Sequence, residues 1–200
     1  MRKLFAALLI LVPTTASAKT IIKDPNPPKY GVEIEPKLNF SYFGLYAYGG
    51  NAWGPGVRFS IPVMSPGFVK KINDSVTITF GADFMRYEGY YYYWCKPKDC
   101  PRIYEPGYDA SFWSVHLPVA LQWNFFITDH FSVFGEPGLT IRHNFFRDST
   151  YCGAYGYCGR TTEPYFTLFL GGRWHFSDNL ALTFRIGHPI DSSIGLSIFL

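Results

Sequence analysis

The feature that most constrains the fold of this 200-residue chain is a period of two in its apolar residues, as in WSVHLPVALQW. Side chains of a β-strand point alternately to opposite faces, so this period predicts strands that each have one apolar face. Eight segments with this period occur, at 32–42, 57–63, 76–84, 113–125, 131–141, 166–176, 180–186 and 194–200. Most of them are close in length to the roughly 9–11 residues that a tilted strand needs to cross a bilayer.

The connections between these segments alternate in length. ITDH and FSDN join the fourth to the fifth and the sixth to the seventh segment, whereas long Tyr- and Gly-rich stretches follow the third and the fifth. Short turns at one end and long loops at the other are typical of an outer-membrane barrel. The inner connection SPGFVKKINDS departs from this pattern, and it is long enough to hold a short helix. We predict an all-β fold, an eight-stranded antiparallel up-and-down transmembrane β-barrel.

The chain begins MRKLFAALLILVPTTASA, in which two basic residues precede an apolar stretch and a site of small residues. This is the pattern of a secretory signal peptide, and the apolar stretch is shorter than the about 20 residues of a membrane-spanning helix. The predicted organisation is a cleaved signal peptide at 1–18, a Pro-rich periplasmic tail at 19–30 and the barrel at 31–200.

The amino-acid composition is unusual for a soluble domain and indicates that much of the protein surface contacts something other than water. Aromatic residues make up 20% of the chain and charged residues only 16%, whereas charged residues are typically about 25% of a soluble domain. Loss of Arg2 and Lys3 with the signal peptide lowers the formal net charge from +3 to +1. Nothing in this balance suggests nucleic acid as a partner.

The two faces of the predicted strands differ in bulk. An eight-stranded barrel has an interior just wide enough for its side chains, and the large apolar set would overfill it. We therefore expect the polar set to face the lumen. A secreted soluble barrel or sandwich with an apolar interior is the alternative, because soluble antiparallel sheets also alternate. The polar set is Glu33, Glu35, Lys37, Arg58, Asp83, His116, Gln122, Glu136, Arg142, Arg173 and Arg185.

Eight of these lumen residues fall at similar heights along their strands, which predicts one layer with four acids and four bases. Buried charges are tolerated when they are paired. We therefore expect a salt-bridge network that plugs the barrel, with Glu136 and Arg185 at its centre. Its predicted members are Glu33, Glu35, Lys37, Arg58, Asp83, Glu136, Arg173 and Arg185.

The signal peptide, the eight alternating strands and the closing GLSIFL resemble the small eight-stranded outer-membrane β-barrel proteins of the OmpA, OmpX and OmpW type. The resemblance covers the mature chain as an architecture and includes no specific motif. It implies the outer membrane of a Gram-negative-type envelope, contact with its lipids and insertion by the barrel-assembly machinery. Such barrels usually end on an aromatic residue that this machinery reads, whereas here Phe199 is followed by Leu200 on the lipid-facing register.

Some barrels of this size are enzymes. His188, Asp191, Ser192 and Ser193 include the residue types of an acyl-transfer site, but Pro, Asp and Ser are also the expected residues of a tight turn. We expect the turn, since no motif of a lipid-modifying barrel enzyme is present, and we expect neither catalysis nor a cofactor. His116 and His143 are interpreted as lining or interface residues.

Two long connections contain all four cysteines, Cys95 and Cys100 in one and Cys152 and Cys158 in the other. Four cysteines permit three pairings. Pairing within each loop suits the oxidising compartment that a signal peptide implies. A metal site is the alternative, but neither spacing is the usual zinc pattern.

The same two loops combine aromatic and basic residues, which are enriched in binding hot spots. Near the strand ends these residue types also form the aromatic girdle of a membrane protein, so only the loop tips are candidates for binding an extracellular ligand. The candidate residues are Trp94, Lys96, Lys98, Arg102, Tyr155 and Arg160. Three functions remain: a structural or surface-recognition barrel, a narrow channel for small solutes and, third, a lipid-modifying enzyme.

Overall fold

A computed structural model describes residues 19–23, 30–42, 51–69, 71–89, 110–146 and 161–200. The described residues form eight strands and contain no helix long and apolar enough to cross a membrane. The strands are β1 (Glu33–Ser41), β2 (Asn51–Met64), β3 (Asp74–Gly89), β4 (Ala110–Phe126), β5 (Phe131–Phe146), β6 (Thr161–Ser177), β7 (Leu180–His188) and β8 (Ser192–Phe199).

Each strand pairs in antiparallel fashion with the next, and β1 also pairs with β8, so the sheet closes into a barrel. The closing register places Glu33 opposite Phe199 and Leu38 opposite Ile194. The predicted fold class, an eight-stranded antiparallel up-and-down barrel, is confirmed. Closure leaves no free sheet edge along the paired part of the wall.

The barrel has its apolar side chains on the outside. Each strand alternates between buried polar and exposed apolar residues, which is the reverse of a soluble sandwich. The soluble alternative is therefore wrong for the described residues. Outward side chains that are between 39 and 63% exposed include Leu38, Phe80, Phe84, Leu117, Val119, Leu139, Ile141, Phe166, Leu170, Phe184, Ile186 and Leu196.

The wall is taller on one side than on the other. Strands β3 to β6 have 16 or 17 residues, whereas β1, β7 and β8 have eight or nine. Because β6 pairs with β7 only from Leu168 onward, residues 161–167 rise above the β7–β8 hairpin by about 20 Å before tilt. The long strands β3 to β6 are those joined by the connections at 90–109 and 147–160, which lie outside the described residues.

The long inner turn between β2 and β3 is held by one carboxylate. Asp74 accepts hydrogen bonds from the backbone N–H of Gly67 at 3.0 Å and of Val69 at 3.1 Å, and from Trp123 Nε1 at 2.8 Å. The described residues of this turn form bends and a turn, so the short helix that its length would allow is absent from them. The Asp74 carboxylate therefore accepts hydrogen bonds from backbone N–H groups of the turn, which backbone carbonyls would accept in a helix.

Candidate functional site

The centre of the lumen is a carboxylate held between two guanidinium groups. Glu136 on β5 accepts from Arg185 Nε on β7 at 2.9 Å and from Arg58 Nη1 on β2. Arg185 also donates through Nη1 to Glu35 on β1. All four side chains are fully buried. Charge-assisted hydrogen bonds of this kind are the stronger ones in proteins, and here they link four strands across the lumen.

The network continues from Arg58 toward the β1–β3 side of the barrel. Arg58 Nη2 lies 3.8 Å from Asp83 Oδ2, and Lys37 Nζ lies 2.7 Å from Asp83 Oδ1. Asn39 Nδ2 donates to Asp83 at 3.0 Å and Asn39 Oδ1 accepts from Lys37 at 3.1 Å. Acids and bases thus alternate along one continuous path through six charged residues.

A lower branch of the network is centred on Arg173. Its Nη2 lies 2.7 Å from Glu33 Oε2 and 3.0 Å from Gln122 Oε1, and its Nη1 donates to Asn124 at 2.9 Å. Gln122 Nε2 in turn donates to Glu136 at 3.4 Å. Gln122 therefore connects the lower branch to the centre.

The eight residues predicted for the network all point into the lumen, and none is more than 5% exposed. The structure brings six of them into the central path and joins Glu33 and Arg173 through Gln122. Their formal charges sum to zero, so each buried charge has a counter-charge. The salt-bridged lumen expected from the sequence is present.

Glycines at inward positions make room for two of the carboxylates. A Cβ added at Gly56 would lie 2.1 Å from Asp83 Oδ1, and one added at Gly195 would lie 2.3 Å from Glu35 Oε1. Neither distance is possible for a real side chain, so these positions require glycine as long as the carboxylates stay where they are.

Four inward phenylalanines were missed by the sequence analysis, which treated the inward face as polar. Phe134 lies between two cations of the network: its ring centroid is 4.8 Å from the Arg173 guanidinium carbon and 5.0 Å from that of Arg185. Contacts at this distance are attractive cation–π interactions. The signal was present in the sequence, because Phe134 has the same strand parity as Glu136. The four residues are Phe126, Phe134, Phe169 and Phe199.

The outer part of the lumen is closed by apolar side chains. Ile190, in the turn between β7 and β8, is buried in one cluster with Ala52, Met85 and Phe169. Met85 is the next inward residue above Asp83 on β3, so this cluster lies directly above the network. Apolar side chains therefore pack against the outer side of the charged layer.

The four residues considered for acyl transfer lie at this outer turn. Asp191 accepts from Ser41 Oγ at 3.0 Å and from the backbone N–H of Tyr42 at 2.6 Å, and so ties the hairpin to the end of β1. This is the structural role expected of a turn residue. His188 and Ser192 are half-buried, and Ser193 is buried.

A second polar cluster lies higher in the lumen, around Arg142. Arg142 donates to Glu163 at 3.3 Å, contacts the Tyr165 hydroxyl, and its guanidinium carbon lies 4.5 Å from the centroid of that ring. His116 is buried, and its Nε2 lies 3.4 Å from the Tyr87 hydroxyl. This cluster extends the polar lumen toward the tall side of the wall.

His143, in contrast, lies on the outward face. Its Nδ1 is 2.7 Å from Thr162 Oγ1, and its ring contacts Phe145 edge-on at a centroid distance of 4.5 Å. It is therefore a residue of the outer surface and not of the lumen.

The predicted disulfide cysteines and the predicted loop-binding residues lie outside the described residues. Their pairing and their contacts stay predictions. They are Cys95, Cys100, Cys152, Cys158, Trp94, Lys96, Lys98, Arg102, Tyr155 and Arg160.

A closed barrel with an apolar exterior and an interior of paired charges suits a hydrocarbon surrounding, because closure lets neighbouring strands satisfy each other's backbone groups within the sheet. It has the architecture of a small outer-membrane β-barrel. No protein-family model and no curated protein sequence matches the chain.

Solved structures similar to the chain include three of Ail, the attachment invasion locus protein of Yersinia pestis. Ail in complex with the heparin analogue sucrose octasulfate is 11% identical, with 84% of this chain and 95% of that chain covered and a TM-score of 0.47. The structure of Ail alone is 11% identical, with 87% of this chain and 96% of that chain covered and a TM-score of 0.46. The backbone structure of Ail in a phospholipid bilayer nanodisc is 12% identical, with 86% of this chain and 100% of that chain covered and a TM-score of 0.44.

Proposed function

We propose that the protein is an integral outer-membrane barrel with a permanently plugged lumen, and that it acts as a structural or surface-recognition protein. The observation that carries this proposal is the continuous path of ion pairs from Glu35 through Glu136 to Lys37. Its location in a Gram-negative-type outer membrane, in contact with the lipids there and inserted by the barrel-assembly machinery, is part of the proposal.

The exterior supports the membrane location. Leu139 is 63% exposed and Val119 is 57% exposed, although both lie in the middle of long strands. Transfer of apolar side chains from water to hydrocarbon is favourable by roughly 25 cal/mol for each Å² of surface. A band of such residues around the whole barrel is stable in lipid and would cause aggregation in water.

The interior argues against a solute channel. The residues of the central path come from β1, β2, β3, β5 and β7, so the path crosses the lumen rather than following one wall. A solute or ion that passed would have to separate several buried ion pairs, each of which leaves stranded charges when it is broken. The apolar cluster around Ile190 adds a second barrier toward the outside.

The unequal wall supports surface recognition. The two loops predicted to bind a ligand join β3 to β4 and β5 to β6, which are the four longest strands of the wall. Aromatic and basic residues at the tips of such loops suit a partner outside the cell.

Two measurements test this proposal. The protein should fractionate with the outer membrane and migrate at different apparent sizes on an SDS gel before and after boiling, whereas recovery in the soluble periplasmic fraction would reject the membrane location. Liposomes that contain the folded protein should not swell in isotonic solutions of small sugars. Swelling at the rate of a porin control would reject the plugged lumen in favour of the solute channel.

A further inference from the structure

The inner end of the lumen is covered by one aromatic side chain that precedes the first strand. The Tyr30 ring stacks on His175 at a centroid distance of 4.8 Å, and it contacts Phe199 at 4.6 Å and Phe126 at 5.5 Å. These partners come from β6, β8 and β4. Tyr30 therefore contacts three strands of the inner rim at once. Burial, followed by the nearby Asp178 carboxylate, raises the pKa of the Tyr30 phenol to about 12, so the ring is neutral at physiological pH.

A small cavity with room for a water molecule is lined by Tyr30 and by Glu33 and Arg173 of the salt-bridge network. Its lining includes two buried groups, Ser60 Oγ and Arg173 Nε, that have no hydrogen-bond partner among the described residues. Glu33 and Asn124 line the same cavity and are also buried. Unsatisfied buried polar atoms around a cavity of this size are the usual setting of an internal water.

Gly31 brings Tyr30 into this position. The chain passes so close to the end of β8 that a Cβ on Gly31 would lie 1.8 Å from the carbonyl oxygen of Leu200. The backbone N–H of Leu200 donates to the carbonyl of Val32 at 2.9 Å, which holds this segment against the end of β8. Only glycine allows this approach without moving the backbone.

The start of the predicted mature chain is attached to the inner turns. Ile21 N–H donates to the Ile127 carbonyl at 3.1 Å, and Asn73 N–H donates to the Ile22 carbonyl at 2.8 Å. Asn73 Nδ2 also donates to the Ile21 carbonyl, and the Ile21 side chain is buried. Residues 19–22 thus bind the β2–β3 and β4–β5 turns rather than extending freely from the barrel.

We propose that Tyr30 is a lid over a water-holding chamber at the inner mouth of the barrel, and that Gly31 allows the close approach to Leu200 that seats the lid. The lid lies on the inner side of the central ion-pair path and gives the inner mouth its own seal.

The exchange of the Arg173 Nε proton with bulk water, measured by NMR on the full mature chain in nanodiscs, tests the lid. In the closed state this proton exchanges only when the chamber opens. Tyr30→Ala and Gly31→Ala should each raise the exchange rate by about tenfold or more, because they remove or displace the lid. Tyr30→Phe keeps the ring and should leave the rate unchanged.

Two comparisons show whether the effect is specific. Gly135→Ala makes the same substitution on the lipid-facing side of β5, where the added Cβ would be 3.9 Å from Leu170 Cδ2, and it should have no effect. The Nε proton of Arg58 lies on the other side of the network and should stay slow in every variant. Rapid Arg173 exchange in the wild type, no change in Tyr30→Ala and Gly31→Ala, or equal acceleration at Arg58 would overturn the lid.

Migration on an unboiled gel checks that each variant is folded.

Discussion

Arg185 Nε donates to Glu136 Oε2 at 2.9 Å in the centre of the lumen, and neither side chain is exposed to solvent. Arg185 belongs to β7 and Glu136 to β5, so the contact joins two strands that are not neighbours in the sheet. Backbone pairing alone holds the wall of a barrel, whereas this contact crosses its interior. The stability of the fold and the closure of the lumen therefore depend on the same pair.

Removal of the central carboxylate should be costly. Glu136→Ala removes the carboxylate that Arg58 and Arg185 share and leaves three acids for four buried bases, and loss of one partner of a buried ion pair typically costs about 3–5 kcal/mol. We expect a clear decrease in the urea midpoint of unfolding in detergent or lipid. The matched control is Asp129→Ala, since Asp129 is an exposed acid at the β4–β5 turn and its loss should change stability by less than about 0.5 kcal/mol. Equal midpoints for the two variants would argue against the network.

The lower branch should show strong coupling in a double-mutant cycle. Glu33→Gln and Arg173→Met each leave a buried charge unpaired, while the double variant leaves neither, so the coupling free energy should be about 1–3 kcal/mol. The comparison cycle uses Asp129 and His130, whose 3.9 Å contact is exposed and should couple weakly. Additive effects at Glu33 and Arg173 would mean that their 2.7 Å contact does not contribute to stability.

The pH dependence of the inner seal follows from the Tyr30 phenol. Its pKa is raised from 10.0 to about 12 by burial and by Asp178, so the stability that it contributes is complete below pH 10 and is lost as the pH rises toward 12. The Tyr30 ¹³Cζ shift should therefore titrate well above 10. In Gly31→Ala, where the ring is displaced, the pKa should fall back toward 10. Titration of wild-type Tyr30 near 10 would contradict its burial.

Strand parity was sufficient to predict the wall and the charged layer. In an alternating strand the position of one side chain fixes the face of the next, so Arg185 could be assigned to the lumen as soon as Phe184 and Ile186 were assigned to lipid. The total volume of the side chains on each face predicted which face was inside, because the large apolar set would overfill the lumen. The partners of Arg185 followed from height along the strands, because charges of opposite sign at one height in a narrow lumen have to meet.

Strand parity did not predict which inward residues are apolar, nor the path of the chain before β1. Phe134 has inward parity, but the inward residues near it are polar, and nothing in the sequence indicated that its ring contacts two arginines. Tyr30 and residues 19–22 lie outside any alternating segment, so the sequence indicated only a Pro-rich tail. Their contacts depend on the shape of the inner rim, in particular on the close approach of Gly31 to Leu200, which exists only after the barrel closes.

Conductance of the unmodified protein in a planar bilayer tests the closed lumen most directly. With Glu136, Arg58, Arg185 and Glu35 paired across the interior, we predict that inserted wild-type barrels show no steady conductance above the bare bilayer at moderate voltage. Insertion is verified by heat-dependent migration of the same sample. Steady, large and reproducible conductance steps from the wild-type protein would contradict the account and would identify the barrel as a channel.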